Sequence, residues 1–214
     1  MRVTAETKAA TRQRILEAAG QLFASNGFDA ATTRDIADAA GVASGTVFNY
    51  FATKEAILAS LAAEAAAGAH IEFEGGSEGT ESLEEDLFAF AAAGLRKLKP
   101  LRKHLAVLFE TTLHPLAAVS SDESQSLRVA HLETVARLAK KHGMGELRPL
   151  ALQLYWTLYT GVVMFWSSDR SPKQEDTLAL LDHSLAMFVG WLQRECPEPA
   201  GKETKTEGEP CPPR

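Results

Sequence analysis

Between residues 11 and 23 the apolar positions Ile15, Ala18, Ala19, Leu22 and Phe23 recur at helical spacing, and SNG at 25–27 supplies a stop, so the chain is expected to open with a helix. Thr32 then stands three residues before Asp35, a weak capping box, with Ile36, Ala37 and Ala40 as the inward face of a short second helix ended by Gly41. Val42 carries the chain through a tight turn, after which Ser44 can cap another short helix over residues 46–50. Two short helices joined through a glycine-containing turn make a helix-turn-helix. Thr53 can cap a longer, alanine-rich helix anchored by Ile57, Leu58 and Leu61 and running to about residue 70.

The acidic, glycine-rich stretch at 72–82 reads as a loop between two bodies. Beyond it the pattern is helical and punctuated by proline and glycine, with helices expected over 83–98, 101–113, 124–142, 149–168 and 173–194. No alternating strand pattern occurs, so the expected class is all-α. The division that follows is a helix-turn-helix domain over 1–53, a helical bundle over 54–195, and a polar, proline-rich disordered tail over 196–214.

Residues 149–168 carry no charge and are about long enough to span a bilayer, but interspersed threonines, Gln153 and the lack of a basic flank favour a core or interface helix and no membrane partner. The last helix carries two apolar rows. Leu178, Leu181, Leu185, Phe188 and Leu192 form one, and Leu180, Met187 and Trp191 lie on the other. A surface helix needs a single stripe, so the second asks for a partner; a homodimer interface with the preceding helix is expected, with the first row as the candidate seam and the choice between the two rows open, unless the chain's own helices cover both.

Composition narrows the classes further. With 45% hydrophobic and 23% charged residues, the 214-residue chain should fold as a globular protein. Its two cysteines, Cys196 and Cys211, both lie in the tail, and the first residues lack an apolar signal-peptide core, so a cytoplasmic location is expected. The net charge of −6 is unevenly spread, since residues 1–58 hold six bases and six acids and the remainder supplies the whole excess. A neutral N-terminal part permits nucleic-acid binding, because phosphate affinity depends on local placement of Lys and Arg.

The stretch RILEAAGQLFASNGFDAATTRDIADAAGVASGTVFNYFATKEAIL resembles the N-terminal domain of the tetracycline-repressor (TetR) family of transcriptional regulators over about residues 11–61. Many positions agree together: the AA..LF..NGF ending of the first helix, TT.RDIA.AAGV, GT, and YF..KE. A helix enters the DNA major groove when its leading face is small or polar, which Ser44, Gly45 and Thr46 satisfy. Thr46 can bond a base or phosphate and touch a thymine methyl, and Asn49, a turn later, can pair with adenine or reach the backbone. The resemblance implies that Thr33 and Arg34 touch phosphate at the start of the second helix, and that Tyr50 and Lys54 clamp the other side. Phe48 and Tyr50 could cover sugar or belong to the core; Phe51 reads as core.

The resemblance further implies a dimer on a palindromic double-stranded operator, released when a small-molecule effector enters the C-terminal bundle and shifts the fourth helix. Phe88, His104, Phe109, His131, Trp156 and Tyr159 are the pocket candidates, since aromatic walls with a few polar tips suit an apolar ligand, although Trp156 could instead join the dimer seam. No cofactor is expected. Glu110 and His114 share a helical face but do not make a metal site alone, zinc spacing is absent, and no hydrolase, phosphate-loop or HExxH motif supports an enzyme. The rival reading is a helical small-molecule-binding protein that has lost DNA binding.

Three positions depart from the common family pattern: Ala43 where serine often caps the recognition helix, Ser44 where lysine often follows, and Phe48 where tyrosine often contacts phosphate. Each removes a polar or charged group. Operator affinity measured across a salt series should therefore fall less steeply than is usual, by about one unit of log–log slope for each phosphate left unneutralised; a steep dependence refutes this.

Overall fold

The computed structural model describes residues 4–76, 80–109 and 122–195, and the described residues form helices and no strand. Helix α1 (Ala5–Asn26) begins where Thr4 Oγ1 accepts the Thr7 amide and ends at Gly27, whose φ of 87° suits glycine alone. It starts several residues before the apolar repeat because its exposed first turns present no core face to mark them. In α2 (Thr33–Ala40) the capping box is complete: Thr32 Oγ1 accepts from the Asp35 amide at 3.1 Å and the Asp35 carboxylate accepts from the Thr32 amide at 2.9 Å. Gly41 closes α2 in the left-handed region at φ 64°, and the Val42 amide donates back to Ala37 O at 3.0 Å.

Helix α3 comprises Ser44–Phe48. Its N-cap is Ala43, with no side-chain hydrogen bond, so Ser44 is the first helical residue and not the cap expected from the sequence. Packing holds this short helix in place, because Val47 is fully buried and Phe51 follows it into a core shared with Ile15, Phe23 and Ile36.

Helix α4 (Lys54–Gly76) is capped by Thr53, whose hydroxyl accepts the Ala56 amide at 3.1 Å. It continues past residue 70 into the stretch read as a loop. Phe73 is buried there, Glu72 pairs with Arg96 at 2.8 Å and Lys97 at 3.0 Å, and Glu74 pairs with Arg137 at 2.8 Å, so tertiary contacts extend the helix against its glycine content. The next elements are α5 (Leu83–Leu98), a 3-10 helix (Lys99–His104), α6 (Leu105–Leu108), α7 (Asp122–Lys141), α8 (Pro149–Ser168), a 3-10 turn (Pro172–Gln174) and α9 (Glu175–Glu195). The helix expected over 101–113 is thus a 3-10 segment followed by a short α-helix, as far as it is described. The Glu110–His114 pair and the tail with Cys196 and Cys211 fall outside the described residues.

Helix α4 packs on α1, α5 and α7, and one apolar cluster runs continuously from the helix-turn-helix into the bundle. The charge-free α8 contributes Tyr155, Val162, Val163 and Trp166 to it. Helix α9 corrects the expected dimer row. Leu181, Leu185, Phe188 and Leu192 are buried against the chain's own helices, and only Leu178, 40% exposed at the edge, remains outside. The outward apolar positions are Leu180 and Met187, the latter 63% exposed, with Trp191 half-buried beside them. Helical spacing gives both rows equally well; only the packing of α5 and α8 on α9 chooses between them.

One buried carboxylate ties the bundle together away from these surfaces. Asp86, in the first turn of α5, accepts from Thr80 Oγ1 at 2.7 Å, His142 Nε2 at 2.8 Å and Lys141 Nζ at 2.9 Å, joining the segment before α5 to the end of α7. Burial would raise its pKa, but these donors outweigh burial and hold the carboxyl well below its ordinary value of 3.8. Because the folded pKa is depressed, the stabilisation is complete above the ordinary carboxylate range and is lost as pH falls below it. Denaturant unfolding from pH 7 to pH 3 should show a loss of stability on acidification that Asp86→Asn flattens, the variant being less stable at pH 7; parallel profiles would show that the cluster contributes nothing.

Candidate nucleic-acid interface and effector cavity

The α2–turn–α3 unit presents a polar, nearly uncharged face. Ser44, Gly45 and Asn49 are exposed, Thr46 is half-exposed, and Phe48 stands 53% exposed beside them. The opposite side of α3 is anchored by Val47, whose carbonyl accepts the amides of Tyr50 at 3.0 Å and Phe51 at 2.9 Å. Tyr50 is half-buried against the core, so its ring is shared between core and surface, while Phe51 is buried as expected, with the Arg12 guanidinium 5.3 Å from its ring centre.

Gly45 is the telling position. A Cβ built there meets no atom of the described residues within 4 Å, and its φ is not in the left-handed region. Glycine inside a helix costs roughly 0.5–1 kcal/mol relative to alanine. Nothing among the described residues requires glycine there, and the space beside the α3 backbone is open.

Thr33 and Arg34 open α2, with Thr33 half-buried and the Arg34 side chain exposed. Asp35 is held below its ordinary pKa by the Thr32 hydroxyl and amide, so a carboxylate sits at the same terminus, opposing anion binding but engaged in the cap. Lys54 departs from its expected role as a phosphate clamp. Its ammonium donates to Phe28 O at 2.6 Å and Ala31 O at 3.1 Å and lies 4.2 Å from the Phe28 ring centre, fastening the α1–α2 connection to the start of α4. An ammonium satisfied by carbonyls is a structural tie, and a spacing pattern does not reveal which way a lysine turns.

In the bundle, Ala62 and Ala66 of α4, Leu98, Leu105, Leu108, Leu127, His131, Trp156, Tyr159 and Val163 enclose a small apolar cavity of about 40 Å³. The structure therefore brings together His131, Trp156 and Tyr159 among the expected pocket residues. The other three lie elsewhere. Phe88 and Phe109 are half-buried outside the cavity wall, and His104 is buried at the junction with α1, its Nε2 3.1 Å from Phe23 O. The alanines of α4 escaped sequence reasoning because one alanine in an alanine run carries no mark of what it faces.

The cavity's polar atoms are held neutral. His131 Nε2 lies 3.2 Å from the Tyr155 hydroxyl, and burial, followed by nearby His70, pushes the His131 pKa down to about 3. Burial pushes Tyr159 up to about 12. A Cβ at Gly94 would stand 3.1 Å from the Tyr159 hydroxyl, so the hydroxyl would have to give way slightly to any larger residue there.

The sequence profile of the bacterial regulatory proteins of the tetR family matches residues 15–61, the segment that builds this interface and the start of α4. Over this segment the chain is similar to the tetR family. Among curated relatives, the repressor KstR2 of Rhodococcus jostii is 45% identical over 51 residues, 24% of this chain and 25% of the relative. The fatty acid metabolism regulator protein of Bacillus subtilis is 34% identical over 119 residues, 56% of this chain and 54% of the relative. The chain thus matches between a quarter and about half the length of these relatives. Among solved structures, the tetR-family repressor FadR of Thermus thermophilus, in complex with lauroyl-CoA, superposes with a TM-score of 0.66 at 27% identity over 89% of this chain and 100% of that one.

Gly45→Ala separates the two demands on α3. The variant should unfold at higher denaturant, by about 0.5–1 kcal/mol, while binding operator DNA more weakly; unchanged DNA affinity would show that no close surface meets this helix.

Proposed function

We propose that the chain is a transcriptional repressor that docks α3 into the major groove of a palindromic operator as a homodimer and leaves it when a small apolar effector enters the bundle. The observation that carries this reading is the exposed, glycine-containing leading face of α3, where Ser44, Gly45, Thr46 and Asn49 offer base-reading groups without bulk. Thr33 and Arg34 are the phosphate contacts, with Tyr50 and Phe48 against sugar.

Helix α8 supplies a reason for dimerisation. Leu150, Leu154, Leu158, exposed Gly161 and Phe165 follow one another at intervals of three and four residues along a face that the described residues leave uncovered or half-covered, and Leu180 and Met187 of α9 add to the exposed apolar area. Two such faces related by a two-fold axis form a four-helix interface. The dimer seam accordingly uses the outward row of α9 and not its buried one.

The effector mechanism follows from how small the cavity is. About 40 Å³ holds a few waters and no organic ligand, whereas ligand pockets run to several hundred Å³. A ligand must part the lining helices, and Ala62 and Ala66 lie on α4, whose first turn anchors the helix-turn-helix through Ile57, Leu58 and Lys54. Opening the cavity therefore moves the DNA-reading unit, and an effector that prefers the open state shifts the population away from the operator-competent one. The lauroyl-CoA of the Thermus thermophilus neighbour and the fatty acid regulator of Bacillus subtilis support a fatty acyl thioester as the effector class.

The low charge of the interface favours a second reading, a bundle that binds its ligand but no DNA, since Lys54 is turned inward and no Lys or Arg lies between residues 41 and 50. Selection from random duplex DNA decides between them: an enriched palindrome, released by lauroyl-CoA, supports the repressor, and no enrichment at low salt supports the alternative. Met187→Glu should convert the dimer to a folded monomer in analytical ultracentrifugation and weaken operator binding at least tenfold; an intact dimer would exclude this seam.

A further inference from the structure

Beside the cavity lies an open groove of about 450 Å³ between α4 and α7, lined by residues that include Ala63, Ala67, His70, Leu127 and Ala130. Leu127 lines both spaces, and Ala62 and Ala66 on the cavity side alternate along α4 with Ala63 and Ala67 on the groove side. The partition is completed by two rings, His70 from the groove and His131 from the cavity, with centroids 6.4 Å apart. A wide groove adjoins a small cavity.

His70 sits at this boundary with an unusual deficit. Its Nδ1 lies 3.1 Å from Thr134 Oγ1 and its ring meets Phe90 edge-on at 4.9 Å, but Nε2 is buried and has no hydrogen-bond partner among the described residues. An unpaired buried polar atom is costly, and in a folded protein it calls for a reason. The neighbouring His131 Nε2 is occupied by the Tyr155 hydroxyl, so it does not supply the missing partner.

We propose that this partition is the head-group site of the effector, in which His70 Nε2 donates a hydrogen bond to the carbonyl oxygen of an acyl chain lodged in the cavity, the remainder of the head group lying in the groove. This rests on the effector reading above and assigns a residue to it. With the proton on Nε2, Nδ1 accepts from the Thr134 hydroxyl 3.1 Å away, and this is the tautomer the proposal requires. Burial, opposed by Glu74 and reinforced by Arg137, lowers the His70 pKa, so the ring is a neutral donor suited to an uncharged carbonyl. The apolar chain alone opens the cavity; the carbonyl adds the partner that the closed state denies to Nε2. The same groove is lined by Arg12 and Glu64, whose 3.2 Å ion pair joins α1 to α4, so a head group there bears directly on the joint with the DNA-reading domain.

The test uses the full chain and two probes, lauroyl-CoA and its S-dodecyl thioether analogue, in which a methylene replaces the carbonyl. Titration calorimetry on the wild type should give about tenfold weaker binding of the thioether, with a matching rise in the concentration needed to release operator. His70→Phe, which keeps the ring and removes both nitrogens, should bind the two probes alike. Thr134→Val, which leaves His70 in place but frees its tautomer, should narrow the difference without abolishing it and serves if the phenylalanine variant does not fold. Equal binding of both probes by the wild type, or undiminished discrimination in His70→Phe, overturns the assignment while leaving the acyl-thioester reading intact. Failure of the wild type to bind either probe overturns both.

Discussion

Helix α4 runs through both halves of one continuous apolar cluster. Its first turns hold Ile57 and Leu58 in the helix-turn-helix, and Lys54 closes the connection between α1 and α2 onto it. One to two turns later Ala62 and Ala66 wall the bundle cavity, and farther on Ala69 and Phe73 are buried against the rest of the bundle. An α-helix transmits displacement along its axis with little loss, because its backbone hydrogen bonds fix the relation between turns. His104 adds a second tie, from the 3-10 helix beside the cavity-lining Leu105 to the carbonyl of Phe23 in α1.

The small side chains along α4 make this arrangement workable. Alanines let α5, α6 and α7 approach closely, so the cavity is only a few waters in volume and the two halves share one continuous apolar cluster. A close-packed interior has no slack with which to absorb a ligand, so accommodation must appear as helix displacement. The interface is built on the opposite logic. There the chain leaves space at Gly45, accepts a helix-propensity cost, and anchors α3 only by its back face through Val47 and Phe51.

Much of this was legible in the chain because its signals are local. Capping by Thr32 and Asp35, the Gly41 stop, and the bounds of α5 and α8 follow from residues within a few positions of each other. The misreadings share the opposite character. The continuation of α4 to Gly76 depends on Glu72 finding Arg96 and Lys97, residues more than twenty positions away. The inward turn of Lys54, the displacement of His104 from the pocket to the domain junction, and the choice between the two rows of α9 are likewise set by partners remote in sequence.

Sequence by itself determined that the chain is helical, that its first part carries a helix-turn-helix with a small polar leading face, and that the last helices hold more apolar surface than one side can bury. These follow from backbone preferences and spacing, which act over one or two turns. Tertiary packing alone decided which apolar row faces outward, that alanines of α4 line the small cavity, and that a buried nitrogen of His70 is left without a partner among the described residues. Each of those depends on where several helices cross, and a crossing is the sum of many weak contacts between distant segments that no short window of sequence contains.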